Sequence, residues 1–140
     1  MRNHEMKWYL AGPMSGIAQF NIPAFDEAVK RLREFGYDVT SPAELDSEEV
    51  REAALASKAG KPEDIIRIET WGSMLARDVR LIADEMDGVI LLPDWELSRG
   101  ARLEAYVGLL TDKKFARYWK RDFRSTDREI IAVGLRNRIQ

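Results

Sequence analysis

Residues 87–93 read Asp-Gly-Val-Ile-Leu-Leu-Pro, and within them Val89, Ile90, Leu91 and Leu92 follow one another with no polar interruption. A strand with one wet face alternates apolar and polar side chains, whereas a strand covered on both faces reads as a continuous apolar run. The segment is therefore predicted to lie inside a sheet flanked by helices, and the rest of the chain supplies them. Residues 6–11 (MKWYLA) run straight into Gly12-Pro13-Met14-Ser15-Gly16, which predicts a first strand ending in a tight loop. Over residues 23–35, Phe25, Ala28, Val29, Leu32 and Phe35 recur at helical spacing, with Asn21 as a cap, Pro23 in the first turn and Gly36 at the end. Residues 37–40 predict a second strand, stopped by Ser41-Pro42. Residues 43–61 are polar and rich in Glu and Ala, helical in part, with little to anchor them; they read as an insertion or lid. Further helices are predicted over 62–85 (broken near Gly72), 98–110 and 126–138, and a last strand over 115–119. Alternating strands and helices predict one α/β domain over residues 1–140 with a largely parallel sheet. In such sheets ligands sit beyond the carboxyl ends of the strands, here where the loops after Ala11 and Leu92 meet.

Composition narrows the chemistry. The chain has no cysteine, which excludes thiol catalysis, disulfides and thiolate metal sites. Its single histidine, His4, falls in a polar N-terminal stretch expected to be flexible, which argues against a Ser-His triad or a His-ligated zinc. Lys+Arg number 22 against 24 Asp+Glu, for a net charge of −2. Proteins that track a nucleic-acid backbone carry a basic excess, so no polymeric nucleic acid is expected as a partner. The basic stretch over residues 113–124 has acids interspersed and reads as a solvated surface. The longest apolar run is too short to span a bilayer and residues 1–5 do not resemble a signal peptide, so no membrane partner and a cytoplasmic location are expected. Carboxylates, hydroxyls, arginines and backbone remain as reactive groups.

Two carboxylates stand out by their helical surroundings. Glu104 has Gly100, Ala101, Val107 and Gly108 three and four residues away, all small or apolar. Asp78 has Met74, Leu75, Leu81 and Ile82 in the same positions. An unpaired buried charge costs several kcal/mol, so such residues have a partner or a task. The bland alternatives are a Glu104 that reaches outward or pairs with Arg99 or Arg102, and a helix-edge Asp78 with an arginine partner. Paired carboxylates are what cleavage of a glycosidic bond needs, one as nucleophile and one as proton handler. Ser98 is a plausible N-cap of the helix carrying Glu104, and its free amides, with Gly100 permitting close approach, make a phosphate seat. Capping alone also explains Ser98. The loop Gly12 to Gly16 offers a second anion-friendly wall or is simply a turn.

Tyr9-Leu10-Ala11-Gly12-Pro13-Met14-Ser15-Gly16, Asn21 with Pro23-Ala24-Phe25, Asp78, and Leu91-Leu92-Pro93-Asp94-Trp95-Glu96-Leu97-Ser98-Arg99-Gly100-Ala101 leading to Glu104 together resemble one group. The chain resembles, over roughly residues 7–118, the bacterial and phage proteins of the DUF4406 type. These are related to nucleoside 2-deoxyribosyltransferases and 2′-deoxynucleoside 5′-monophosphate N-glycosidases. The resemblance implies a flavodoxin-like or Rossmann-like three-layer domain with about five parallel strands. It implies Glu104 as nucleophile on C1′ of a deoxyribose, Asp78 as the group that helps protonate the departing base, and Tyr9 as an aromatic hydroxyl near the sugar. A strand-end core aromatic is the alternative for Tyr9. Substrate and phosphate contacts fall to Gly12, Pro13, Met14, Ser15, Gly16, Asn21, Asp94, Trp95, Ser98, Arg99 and Gly100. Arg99 is equally readable as a solvent-facing helix residue.

In the transferases an acidic residue commonly lies where this chain has Ser98, whereas in the monophosphate hydrolases a serine there contacts phosphate. The resemblance thus points to an N-glycosidase that hydrolyses a 2′-deoxynucleoside 5′-monophosphate to free base and deoxyribose 5-phosphate. The alternatives are a deoxyribosyltransferase and a module that binds or senses a nucleotide without turnover; a structural protein in which the acids are merely paired is a third. The expected partner is a nucleotide or nucleoside, with no metal or organic cofactor. A homodimer or larger homo-oligomer is also implied, with Ile130, Ile131 and Leu135 as either its contact or part of the core. The Gly12 to Gly16 loop and Trp95 belong to the DUF4406 branch, and residues 43–71 are longer and more polar than the enzymes lead one to expect.

Overall fold

The computed structural model describes residues 6–119, 122–126 and 128–139; His4 and the polar N-terminal stretch lie outside them. The chain is mixed α/β, with five strands in the order β2-β1-β3-β4-β5. These are β1 (Lys7–Ala11), β2 (Asp38–Thr40), β3 (Gly88–Leu91), β4 (Lys114–Trp119) and β5 (Asp122–Thr126). The helices are α1 (Ile22–Glu34), α2 (Pro42–Leu45), α3 (Glu48–Ala56), α4 (Trp71–Glu85), α5 (Arg99–Leu110) and α6 (Arg128–Ile139). Strands β1 to β4 pair in parallel, and β5 runs antiparallel along β4. A sheet of five parallel strands is thus corrected to four parallel strands with an antiparallel edge. Such an edge strand is common on otherwise parallel sheets.

The pleat divides the core in two. Trp8, Leu10 and Ile90 face one side, where Phe25, Ala28, Val29 and Leu32 of α1 meet them. Tyr9, Ala11, Val89 and Leu91 face the other, against Ile82 of α4, Ala101 and Ala105 of α5, and Ile131 and Leu135 of α6. Helices on both faces are consistent with a three-layer α/β domain, and all four residues of β3 are buried, as its apolar run predicts. Ile131 and Leu135 are core residues, while Ile130 is exposed.

Several local expectations change. The helix predicted from residue 62 begins only at Trp71, because the Thr70 hydroxyl accepts from the Ser73 amide and fixes the start there; residues 62–64 form a separate short turn of 3-10 helix. Asn21 precedes α1 but does not cap it. It is left-handed (φ 61°), and its amide donates instead to the Pro13 carbonyl at 2.9 Å. Phe35, placed on the buried face by periodicity, is exposed beyond the end of α1. The final helix starts at Arg128, since Thr126 ends β5.

The segment 43–61 is better held than its composition suggests. Ala43, Val50 and Ala54 are buried, Arg51 pairs with Asp26 of α1 at 2.6 Å, and Arg33 of α1 grips both oxygens of Glu44 at 2.7 and 2.9 Å. Among the described residues no helix is long and apolar enough to cross a membrane.

Candidate active site

Strand order alone singles out one crevice. The chain leaves β1 for β2 on one side and returns to β3 on the other, so the crossovers diverge between the carboxyl ends of β1 and β3. The two loops meet there, as expected. The Leu92 amide donates to the Ala11 carbonyl at 2.9 Å, and a Cβ on Gly12 would lie 2.8 Å from Leu92 side-chain carbons.

Helix α4 descends to the start of β3, and α5 leaves from its far end, so both helices have their N-termini at this carboxyl edge. Helical side chains lean toward the N-terminus of their helix, which tilts Asp78 on α4 and Glu104 on α5 toward the same edge. The two helices pack against each other, and Tyr9 of β1 comes up beneath them. The Tyr9 hydroxyl donates to Glu104 Oε2 at 2.6 Å, and the Asp78 carboxyl lies close enough to Glu104 for each to shift the other's ionisation. Tyr9 is fully buried, and Glu104 and Asp78 are 6% and 7% exposed, so any ligand that reaches them must displace what covers them. Two surface hollows of about 770 and 550 Å³ lie elsewhere and are lined by none of the three.

Burial dominates the electrostatics. It pushes the Glu104 carboxyl well above the usual range, the neighbouring Asp78 charge adds to this, and the Tyr9 hydrogen bond opposes it. Burial also raises Asp78, against the pull of the Arg77 guanidinium. The Arg77 guanidinium bonds Asp78 directly, while Glu104 carries the stronger upward push of burial, so a proton held by the pair is favoured on Glu104 and the negative charge on Asp78. Burial and then the Glu104 charge push the Tyr9 phenol well up, which keeps it an O–H donor. A buried tyrosine, a carboxylic acid and a carboxylate that share one proton can supply both a nucleophile and an acid.

The other expected site residues are scattered in role. Ser98 caps α5, its hydroxyl accepting from the Ala101 amide at 3.2 Å. A Cβ on Gly100 would meet nothing within 4 Å, so the start of α5 stands in open space beside exposed Arg99. Pro13 is buried, Met14 half-buried, and Ser15 and Gly16 exposed; the Gly16 amide already donates to the Gly60 carbonyl at 2.9 Å and is not available to an anion. Asp94 is exposed and left-handed (φ 66°). Trp95, expected on the substrate side, is instead buried against α6, where Gly134 leaves room for its ring. Three consecutive left-handed residues, Gln19, Phe20 and Asn21, lie in the same loop region, pinned by the Gln19 amide to the Ser57 carbonyl at 2.8 Å. Non-glycine residues in this conformation cost of order 1–2 kcal/mol each.

Arg77, which periodicity does not single out, touches the cluster, and Asp46 holds Arg77 from outside it. Arg77 donates through Nε to Asp78 Oδ1 at 3.0 Å and through Nη1 to Asp46 Oδ1 at 2.9 Å. Arg77 sits about 100° around the helix from Asp78, off its apolar face, and Asp46 lies 31 residues away in a polar link, so neither carries a local signal.

A comparison with curated proteins gives no match. A family model described as "Domain of unknown function (DUF4406)" matches residues 6–116. That span runs from β1 into β4 and includes Tyr9, Asp78 and Glu104, together with the strand crossover that brings them into contact. On the extent of that match, the chain belongs to the DUF4406 family.

Proposed function

We propose that the chain is an N-glycosidase acting on a 2′-deoxynucleoside 5′-monophosphate. The observation that carries this reading is the contact cluster of Tyr9, Glu104 and Asp78 buried under the carboxyl edge of β1 and β3. Strand order 2-1-3-4-5 is that of a flavodoxin-like doubly wound sheet, which takes its ligand at this switch point. In the reaction the proton on Glu104 passes to Asp78 as the Glu104 oxygen bonds to C1′. The C1′–N bond breaks with its electron pair going to the base, which takes the proton from Asp78. Water then attacks C1′, gives its proton to the Asp78 carboxylate and releases Glu104, so configuration at C1′ is retained. Tyr9 holds the Glu104 carboxyl throughout.

The 5′-phosphate is assigned to the start of α5, where the helix dipole and terminal amides favour an anion. Five residues, roughly 7 Å of helix rise, separate Arg99 from Glu104, which suits a sugar ring and its 5′-phosphate lying along the helix. The Gly16 amide, already donated to the Gly60 carbonyl, lends nothing to this phosphate.

The test is incubation of the protein with a panel of 2′-deoxy- and ribonucleoside 5′-monophosphates and chromatographic detection of free base. Release is expected from a deoxynucleotide and is expected to fall by roughly 10³-fold or more in Glu104→Gln. Release that survives the substitution overturns the mechanism. Transfer of the sugar to an added base identifies a transferase, and tight binding with no release identifies a sensor.

A further inference from the structure

Arg77 takes no part in the chemistry above, yet it is tied directly to the reacting pair. Its side chain is 24% exposed and that of Asp46 8%, so the guanidinium is held between two largely buried carboxyls rather than waving in solvent. Asp46 closes α2, and the α3 N-cap Ser47 follows it, so this contact fastens α4 to the α2–α3 segment. A planar guanidinium whose Nε and Nη1 are both engaged is fixed in angle as well as in charge.

We propose that Arg77, anchored by Asp46, is a positioning residue that holds Asp78 as the anionic member of the carboxyl pair and so leaves the shared proton on Glu104. This inference rests on the reading of Asp78 and Glu104 as the reacting carboxyls. Asp78 faces Arg77, Glu104 and Tyr9; Glu104 faces Tyr9 and Asp78, with Arg77 further off; Asp46 faces Arg77, with Glu69 and Arg51 beyond. Among the described residues, Arg77 is a cation that acts on both members of the pair and bonds one of them directly.

The arrangement has a use in the proposed reaction. When the proton crosses from Glu104 to Asp78 and on to the departing base, Asp78 is left as a carboxylate already facing a cation. Arg77 therefore makes protonated Asp78 a stronger acid toward the base without touching the substrate. Its loss is expected in kcat and in the pH profile, with KM unchanged.

The decisive measurement is independent of turnover: carboxyl 13C titration of protein labelled at Asp and Glu, with resonances assigned by Asp78→Asn and Glu104→Gln. In Arg77→Ala the Asp78 step is expected to move up by about 1–3 pH units, the scale of losing one adjacent opposite charge. Arg77→Lys, which keeps the charge but not the fork, is expected to recover part of that shift. Asp46→Asn, which frees the fork, is expected to produce a smaller shift of the same sign. Should Arg77→Ala fail to fold, Arg77→Lys and Asp46→Asn carry the test. Titrations that match wild type in every folded variant overturn the proposal. Shifted titrations in a protein that releases no base uphold the positioning role and sink the N-glycosidase reading instead.

Discussion

At the scale of single residues, the hydroxyl of Tyr9 is the sharpest handle on the site. It donates a 2.6 Å hydrogen bond to a buried carboxyl, a bond that contributes about 0.5–1.5 kcal/mol while Glu104 holds its proton and about 1.5–3 kcal/mol once Glu104 ionises to attack. Tyr9→Phe keeps the ring in the core and removes only the donor. Because that donor lowers the Glu104 carboxyl toward its ionised form, its loss pushes Glu104 further up and makes the attacking carboxylate scarcer. The expected outcome is a fall in kcat of roughly 10- to 100-fold, with the alkaline fall of the pH–rate profile, where the pair loses its shared proton, displaced to higher pH. Steady-state kinetics across pH check this, and a Phe variant with wild-type kcat and profile would assign Tyr9 to packing alone. The two carboxylates were legible in the sequence because apolar neighbours at helical spacing reveal a polar residue on a buried face. Arg77 and Asp46 were not, because their contact joins distant segments and each looks like an ordinary surface charge locally.

At the scale of elements, α5 combines a structural end with a proposed ligand end. The Ser98 hydroxyl caps the helix, and Ser98→Ala is expected to cost about 1 kcal/mol of stability whatever the ligand. Ser98→Asp separates the two roles: aspartate caps as well as serine and suits the helix dipole, but sets a negative charge beside the proposed phosphate. Its melting temperature is expected to match wild type while KM for a 5′-monophosphate rises roughly tenfold or more, about 1.4 kcal/mol, relative to the matching nucleoside. Equal KM changes for both substrates would remove the phosphate from the start of α5. Elements with their own pattern, such as β3, α1 and α5, were readable from the chain. β5 was not, since Asp122, Phe123, Arg124, Ser125 and Thr126 contain one apolar residue. Tertiary contacts select it: Phe123 stacks on Tyr37 with centroids 4.3 Å apart and meets Trp8 edge-on at 5.3 Å.

For the whole molecule, the burial of Glu104 links stability to pH in a direction opposite to that of an ordinary salt-bridged carboxylate. In the unfolded chain a glutamate loses its proton near pH 4.3. In the folded protein the raised Glu104 keeps its proton well past that point. Between the two values the folded state binds more protons than the unfolded state, so stability falls as pH rises, by at most about 1.4 kcal/mol per pH unit for one proton. The fall begins above pH 4.3 and levels off once pH passes the folded value. Asp78 and Asp46, both raised by burial, act in the same sense. Glu104→Gln preserves shape, still accepts from Tyr9 and never ionises, so it is expected to lose the Glu104 part of this slope and to be more stable than wild type at alkaline pH. Urea unfolding midpoints between pH 5 and 9 measure the difference directly. Parallel curves for the two proteins would mean that Glu104 ionises in the fold as it does in water, and that the carboxyl pair shares no proton.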